Sequence, residues 1–255
     1  MTKKDRQLTL GLIISILILS SVLAYSALVN RNANTSNLES QVLRTISKNP
    51  EAILQSVQNY QKKQEEKQAQ TVKETFISLK KKGSLIGGSP SKGSLKQGAI
   101  MLEFSDFQCP FCAKSHQIIN EFMEQNAQNV KFVYKHFPIN PNHSEAMSSA
   151  KASWAANQQN KFWEYSNELF KNQDNLNEEL YITLAQKLKL DVNKFDKDRK
   201  SILANKAIQA DIEMGKKFGV NGTPYILVNG SLLFDEISFD NLNKMLELKQ
   251  SKNAG

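Results

Sequence analysis

Polarity changes character several times along this 255-residue chain. An uncharged run of 22 residues, Leu8 to Val29, follows Lys3, Lys4 and Arg6. At 1.5 Å per residue a helix of that length spans ~30 Å of hydrocarbon. The basic residues ahead of it place the N-terminus in the cytoplasm and send everything after Arg31 across the membrane. Val22-Leu23-Ala24 and Ala24-Tyr25-Ser26 also offer small residues suited to cleavage. Residues 1–30 therefore read as a transmembrane anchor or as a signal peptide, and the length of the run points to the anchor. On either reading the bulk of the chain works outside the cytoplasm, in the periplasm or its equivalent.

From 36 to 82 the pattern turns helical and polar. Leu38, Val42, Leu43 and Ile46 recur at helical spacing, and Asn49-Pro50-Glu51 reads as a cap, a first-turn proline and a first-turn acid. Ile53, Leu54, Val57 and Tyr60 continue the apolar stripe; it lapses over Gln61 to Thr71 and resumes at Val72, Phe76 and Leu79. Such a helix buries little alone, so it packs on a partner subunit as an oligomerisation segment or stands as a stalk. The broken stripe gives no sustained heptad. Residues 83–98, rich in Gly, Ser and Lys, predict a linker.

Strand and helix patterns alternate from about 93 to 250. Ala99 to Phe104 predicts a short apolar strand with one acid, Glu103, inside it; a helix begins at Cys109; Val130 to Phe137 predicts a second strand. A helical stretch covers about 143–217. Tyr225 to Val228 and Leu232 to Phe234 predict two strands around an Asn229-Gly230 type I′ turn, and a last helix covers Phe239 to Leu248. This order predicts an α/β domain with a mixed sheet.

Charge alters the picture little. The net charge of +8 is concentrated in Lys62, Lys63, Lys67, Lys73 and the run Lys80-Lys81-Lys82. No aromatic residue interleaves with that run, as a single-strand stacking platform would need, so nucleic acid is not an expected partner.

The chemistry rests on the two cysteines, Cys109 and Cys112, which have two residues between them. Zinc would need two further ligands, and His116, His136 and His143 do not form a second close pair. At a helix start both sulfurs lie near the first turn, where unpaired N–H groups and the helix dipole favour an anion. Cys109, nearest the end, gains most as a thiolate, which is the attacking and leaving species in disulfide exchange. Cys112, one turn in, becomes its resolving partner. Lowering a cysteine pKa from ~8.5 to ~4 would stabilise the reduced form at pH 7 by about 4 kcal/mol, or about 90 mV towards oxidising power. Further on, Thr223-Pro224 sits at the start of the Tyr225 strand, where proline marks a turn or a cis bond.

Glu103 to Cys112, with the Thr223-Pro224 pair, resembles the DsbA branch of the thioredoxin superfamily. The stretches His136-Phe137-Pro138, His143 to Ala156 and Lys161-Phe162-Trp163-Glu164 resemble the helical insert of that branch. The helical region with Asn49-Pro50-Glu51 looks like the leader of relatives of the copper-sensitivity suppressor ScsC, some of which oligomerise through it. The resemblance implies a thioredoxin-like mixed sheet with a helical insert over 93–250. It implies Cys109 as nucleophile, Cys112 as resolving cysteine and Glu103 as a buried carboxylate beneath them. Thr223 and Pro224 would hold substrate, with Pro110 and Phe111 beside them. The departure lies between the cysteines: many strong oxidases place histidine there, and Phe111 offers no hydrogen bond.

These features predict a tethered thiol–disulfide oxidoreductase that introduces disulfides into exported proteins with free cysteines. It needs no cofactor and is reoxidised, by analogy, by a quinone-linked membrane protein of the DsbB or VKOR type. The alternatives are an oligomeric disulfide isomerase or reductase, and a non-catalytic tethered binding module.

Overall fold

Seven consecutive buried residues, Ala99–Ser105, form the middle strand of a five-stranded sheet. The computed structural model describes residues 19–26, 38–95, 99–138 and 141–253. The chain divides into two units, Met1–Gln64 and Glu65–Gly255.

In the first unit, residues 38–48 and the start of helix α1 (Pro50–Lys81) are helical. Their apolar side chains, Leu43, Leu54 and Tyr60 among them, are exposed. Among the described residues no helix is long and apolar enough to cross a membrane. The anchor expected over Leu8–Val29 lies largely outside the described residues, which include only 19–26 of it.

In the second unit, α1 contributes Val72 and Phe76 to a buried cluster with Leu85. The boundary between the units thus falls inside the span 36–82, because the apolar stripe that lapses at Gln61 resumes at Val72 and finds a core. The 83–98 composition predicts a linker, yet β1 (Ser91–Gly93) is an edge strand of the sheet, antiparallel to β3 (Val130–His136). Gly93 fits there because its φ is +82° and a Cβ would lie 2.1 Å from the Val130 carbonyl oxygen.

Strand β2 (Ala99–Ser105) runs parallel to β3, pairing Ala99 with Val130 and Ser105 with His136. Parallel neighbours need a crossover, which α2 (Pro110–Asn126) supplies. On the other side of β2 lies β4 (Tyr225–Val228), antiparallel, and then β5 (Ser231–Leu232). Asn229 and Gly230 join β4 to β5 with φ of 53° and 82°, as a type I′ turn requires. The order β1-β3-β2-β4-β5 makes the sheet mixed.

The period of two along β2 separates two cores. Ile100, Leu102 and Phe104 pack with Val133, Leu227 and Ile208 on one face. Met101 packs with Phe122, Phe132, Tyr134 and Ile226 on the other. The stretch from 143 to 217 resolves into five helices, α3 (Ala146–Asn157), α4 (Phe162–Lys171), α5 (Glu178–Lys187), α6 (Val192–Arg199) and α7 (Ile202–Phe218). Asn177, Asp191 and Ser201 cap the last three, each accepting a hydrogen bond from an N–H three residues on. Helix α8 (Phe239–Asn253) runs five residues past the expected end.

Candidate active site

Cys109 is the N-cap residue of α2, with extended φ and ψ of −80° and 120°, and Pro110 occupies the first turn without a vacant donor. The main-chain N–H groups of Cys112 and Ala113 donate to the Cys109 carbonyl at 3.0 and 3.2 Å, so the helix winds directly from the first cysteine. Both thiols are buried, and Phe111 between them is 70% exposed.

The two sulfurs are driven apart in acidity. The hydrogen bond from the Cys112 thiol does most to pull Cys109 down to about 5, against burial, with help from Thr223 and the N–H groups of Cys112 and Phe111. Burial pushes Cys112 well above the usual thiol range, and the hydrogen bond to Cys109 and the Glu103 charge push the same way. As a thiol, Cys109 Sγ donates to the Thr223 carbonyl at 3.3 Å, and the Thr223-Pro224 bond is cis.

Glu103 projects from the α2 face of β2 and is 1% exposed. Burial raises its pKa to about 7, although the Ser115 hydroxyl partly stabilises the charge. Ser115 Oγ lies 3.0 Å from both Glu103 Oε1 and the Cys112 carbonyl oxygen, so one hydroxyl connects the acid to the cysteine's helical turn.

The helical insert holds the loop that presents Cys109. Gln173 Nε2 donates to the carbonyls of Phe107 at 2.7 Å and Cys109 at 2.9 Å. The Glu145 N–H donates to Gln108 Oε1 at 2.8 Å, and Asp106 Oδ2 lies 2.7 Å from His143 Nδ1. Sequence reasoning missed these four contributors, Asp106, Gln108, His143 and Gln173. Their partners lie tens of residues away, and only an acid directly after a strand hinted at Asp106. His116 is a packing residue: it lies 4.6 Å from the Phe170 ring, its Nε2 lies 2.6 Å from Asn167 Oδ1, and burial lowers its pKa to about 4.

Two clefts meet at Phe111 and Thr223. One, of about 530 Å³, is lined by Cys109, Asp106, His143 and Asn221. The other, of about 380 Å³, is lined by Ile118, Pro224 and Ile237. A larger cavity of about 1000 Å³, between α1 and the β4–β5 turn, touches neither cysteine.

A family model described as Thioredoxin matches residues 86–248. The chain belongs to the thioredoxin family. Its fold is that of solved members of the DsbA and ScsC kind. The thiol-disulfide exchange protein alpha-DsbA2 from Wolbachia pipientis is 18% identical, with a TM-score of 0.62 over 70% of this chain and 96% of that one. ScsC from Proteus mirabilis in a transitional conformation is also 18% identical, with a TM-score of 0.61 over 86% of this chain and 98% of that one. Among curated proteins, the Na(+)/H(+) antiporter NhaA 1 of Mycolicibacterium vanbaalenii is 32% identical over 142 residues, which is 54% of this chain and 23% of the antiporter. This thioredoxin-family chain thus spans under a quarter of the length of that curated relative.

Proposed function

We propose that this protein is an extracytoplasmic thiol–disulfide oxidoreductase of DsbA-like type, acting as an oxidase that introduces disulfides into exported proteins. The observation that carries this reading is the placement of the two cysteines. They sit one turn apart at the start of α2, and the outer one faces the Thr223-Pro224 loop. Oxidised, the pair is a disulfide. A substrate thiolate attacks Cys109 Sγ, the Cys109–Cys112 bond breaks, and its electron pair leaves on Cys112, which takes a proton from neutral Glu103. A second substrate thiolate attacks the substrate sulfur of the mixed disulfide and expels Cys109 as a thiolate. The substrate leaves oxidised by two electrons and the enzyme leaves reduced.

A quinone-linked membrane protein of the DsbB or VKOR type is the reoxidant this chemistry calls for, and residues 8–29 are the tether that would keep the domain near it. Cys109→Ser should abolish oxidation of a reduced, unfolded substrate; retained oxidase activity would overturn the assignment. The exposed apolar residues of 38–64 favour a second reading, an isomerase or reductase assembled as an oligomer. The mass of the soluble region with and without those residues, combined with a scrambled-disulfide assay, separates the two.

A further inference from the structure

We propose that His143, positioned by Asp106, accepts the proton of the substrate thiol as that thiol attacks Cys109. The inference rests on the exchange chemistry proposed above and adds a base to it.

Asp106 directly follows β2 with a side chain only 1% exposed, and its two oxygens are committed in different directions. Oδ1 accepts the Gln108 N–H at 2.9 Å, which shapes the turn leading into Cys109, and Oδ2 faces His143 Nδ1 at 2.7 Å. A carboxylate only accepts, so Nδ1 carries the proton and the basic lone pair of the neutral ring belongs to Nε2. The imidazole, 16% exposed, lines the cleft of about 530 Å³ into which Cys109 opens. Among the described lining residues, Asp106, Cys109 and His143 are the titratable ones; Phe137, Pro141 and Asn221 carry no charge. The nearby Glu145 is turned away, its Oε2 accepting from Tyr181 OH at 2.9 Å. Attacked atom, base and orienting carboxylate thus line one cleft, and a carboxylate-oriented base is the means by which a weak nucleophile is activated.

The step balances. The substrate S–H proton passes to His143 Nε2, and the sulfur's electron pair forms the bond to Cys109 Sγ. The Cys109–Cys112 bond breaks with its pair on Cys112, so substrate sulfur is oxidised and Cys112 sulfur reduced. A cysteine of pKa ~8.5 is only about 3% ionised at pH 7, so a base in the cleft can accelerate attack by up to about thirtyfold. It has nothing to offer a thiol that is already ionised.

The test uses the full chain, oxidised, in single-turnover reduction by two thiols: a cysteine-containing peptide, and the aromatic thiol 2-nitro-5-thiobenzoate, which is ionised at neutral pH. The readout is the ratio of the peptide rate to the aromatic rate from pH 5.5 to 8.5. In His143→Gln, whose amide can still donate to Asp106, this ratio should fall roughly 5- to 30-fold at pH 7. The peptide rate should then rise about tenfold per pH unit, following thiolate fraction alone. Asp106→Asn should move the ratio in the same direction. An unchanged ratio, including an equal loss with both thiols, would overturn the role of His143. A wild-type protein that neither thiol reduces would instead remove the exchange reading itself, and this inference with it.

Discussion

Cys109 Sγ reaches the Thr223 carbonyl oxygen across 3.3 Å, tying the start of α2 to the loop that opens β4. Only a protonated sulfur can donate there. Once Cys109 ionises, its charge is held first by the Cys112 thiol, then by the Thr223 side chain and the N–H groups of the first turn. With Cys109 near 5 and Cys112 far higher, reduction of the disulfide takes up two protons below pH 5 and one above it. The reduction potential should fall by about 59 mV per pH unit below the break and by about 30 mV above it. Equilibration with thiol buffers between pH 4 and 8 measures this, and a Glu103→Gln background removes the carboxyl's own contribution. A single steep line to pH 8 would mean that Cys109 has an ordinary thiol pKa.

Glu103 makes the opposite contribution to stability from most carboxylates. Burial raises its folded pKa to about 7, above the ordinary glutamate value of 4.5, so the folded protein binds the extra proton between these limits. Stability from this group is fully present below pH 4.5 and is lost as pH rises through 7. Urea unfolding of the reduced protein should show wild type losing about 3 kcal/mol relative to Glu103→Gln from pH 4 to pH 8. A constant difference between the two proteins across that range would show that the carboxyl is not buried as an acid.

How much of this was legible depended on distance along the chain. Cys109 and Cys112 have only two residues between them and follow a strand pattern, so local spacing alone put them at a helix start. Asn229-Gly230 declared its turn because few residues tolerate two positive φ values. The stripe resuming at Val72 and Phe76 was visible in α1, but nothing local said that Leu85 and the β4–β5 turn region would cover it. The Gly- and Ser-rich composition of 83–98 hid β1, whose pairing depends on Val133 and Phe132 far downstream. An acid directly after a strand hinted at Asp106, but nothing local paired it with His143, since 37 residues separate them.

Lys135 shows the same limit within an apolar strand. Its ammonium, 2% exposed, lies 3.2 Å from Asp211 Oδ1 and donates to Ser89 Oγ at 2.7 Å and to the Ile86 carbonyl at 3.2 Å. Asp211 also accepts from Ser89 Oγ and from the His136 N–H, which pins α7 to the end of β3. Lys135→Met leaves that carboxylate buried without its cation and should cost about 3–5 kcal/mol. Urea unfolding checks the loss, and pairing the change with Asp211→Leu should recover part of it. A loss below about 1 kcal/mol would mean that water reaches Asp211 in the variant.

Phe111 is the residue whose position is hardest to justify by packing. A phenyl ring 70% exposed stabilises little, so Phe111→Ala should change unfolding free energy by no more than about 0.5 kcal/mol. The ring nevertheless borders both clefts, beside Cys109 on one side and Pro224 on the other. Its removal should raise KM for peptide substrates several-fold, and small thiols, which do not fill the clefts, should be reduced at nearly the wild-type rate. Phe111→His tests the other consequence of the position. An imidazole at the helix start adds a donor, and a positive charge when protonated, near a sulfur that is ionised only in the reduced state. It should therefore stabilise that state and raise the reduction potential by tens of millivolts, about 30 mV for each tenfold gain in the equilibrium constant. Equilibration of both proteins with glutathione measures the shift. A potential unchanged or lowered by histidine would show that the Cys109 thiolate already has all the donors it can use from α2 and Cys112.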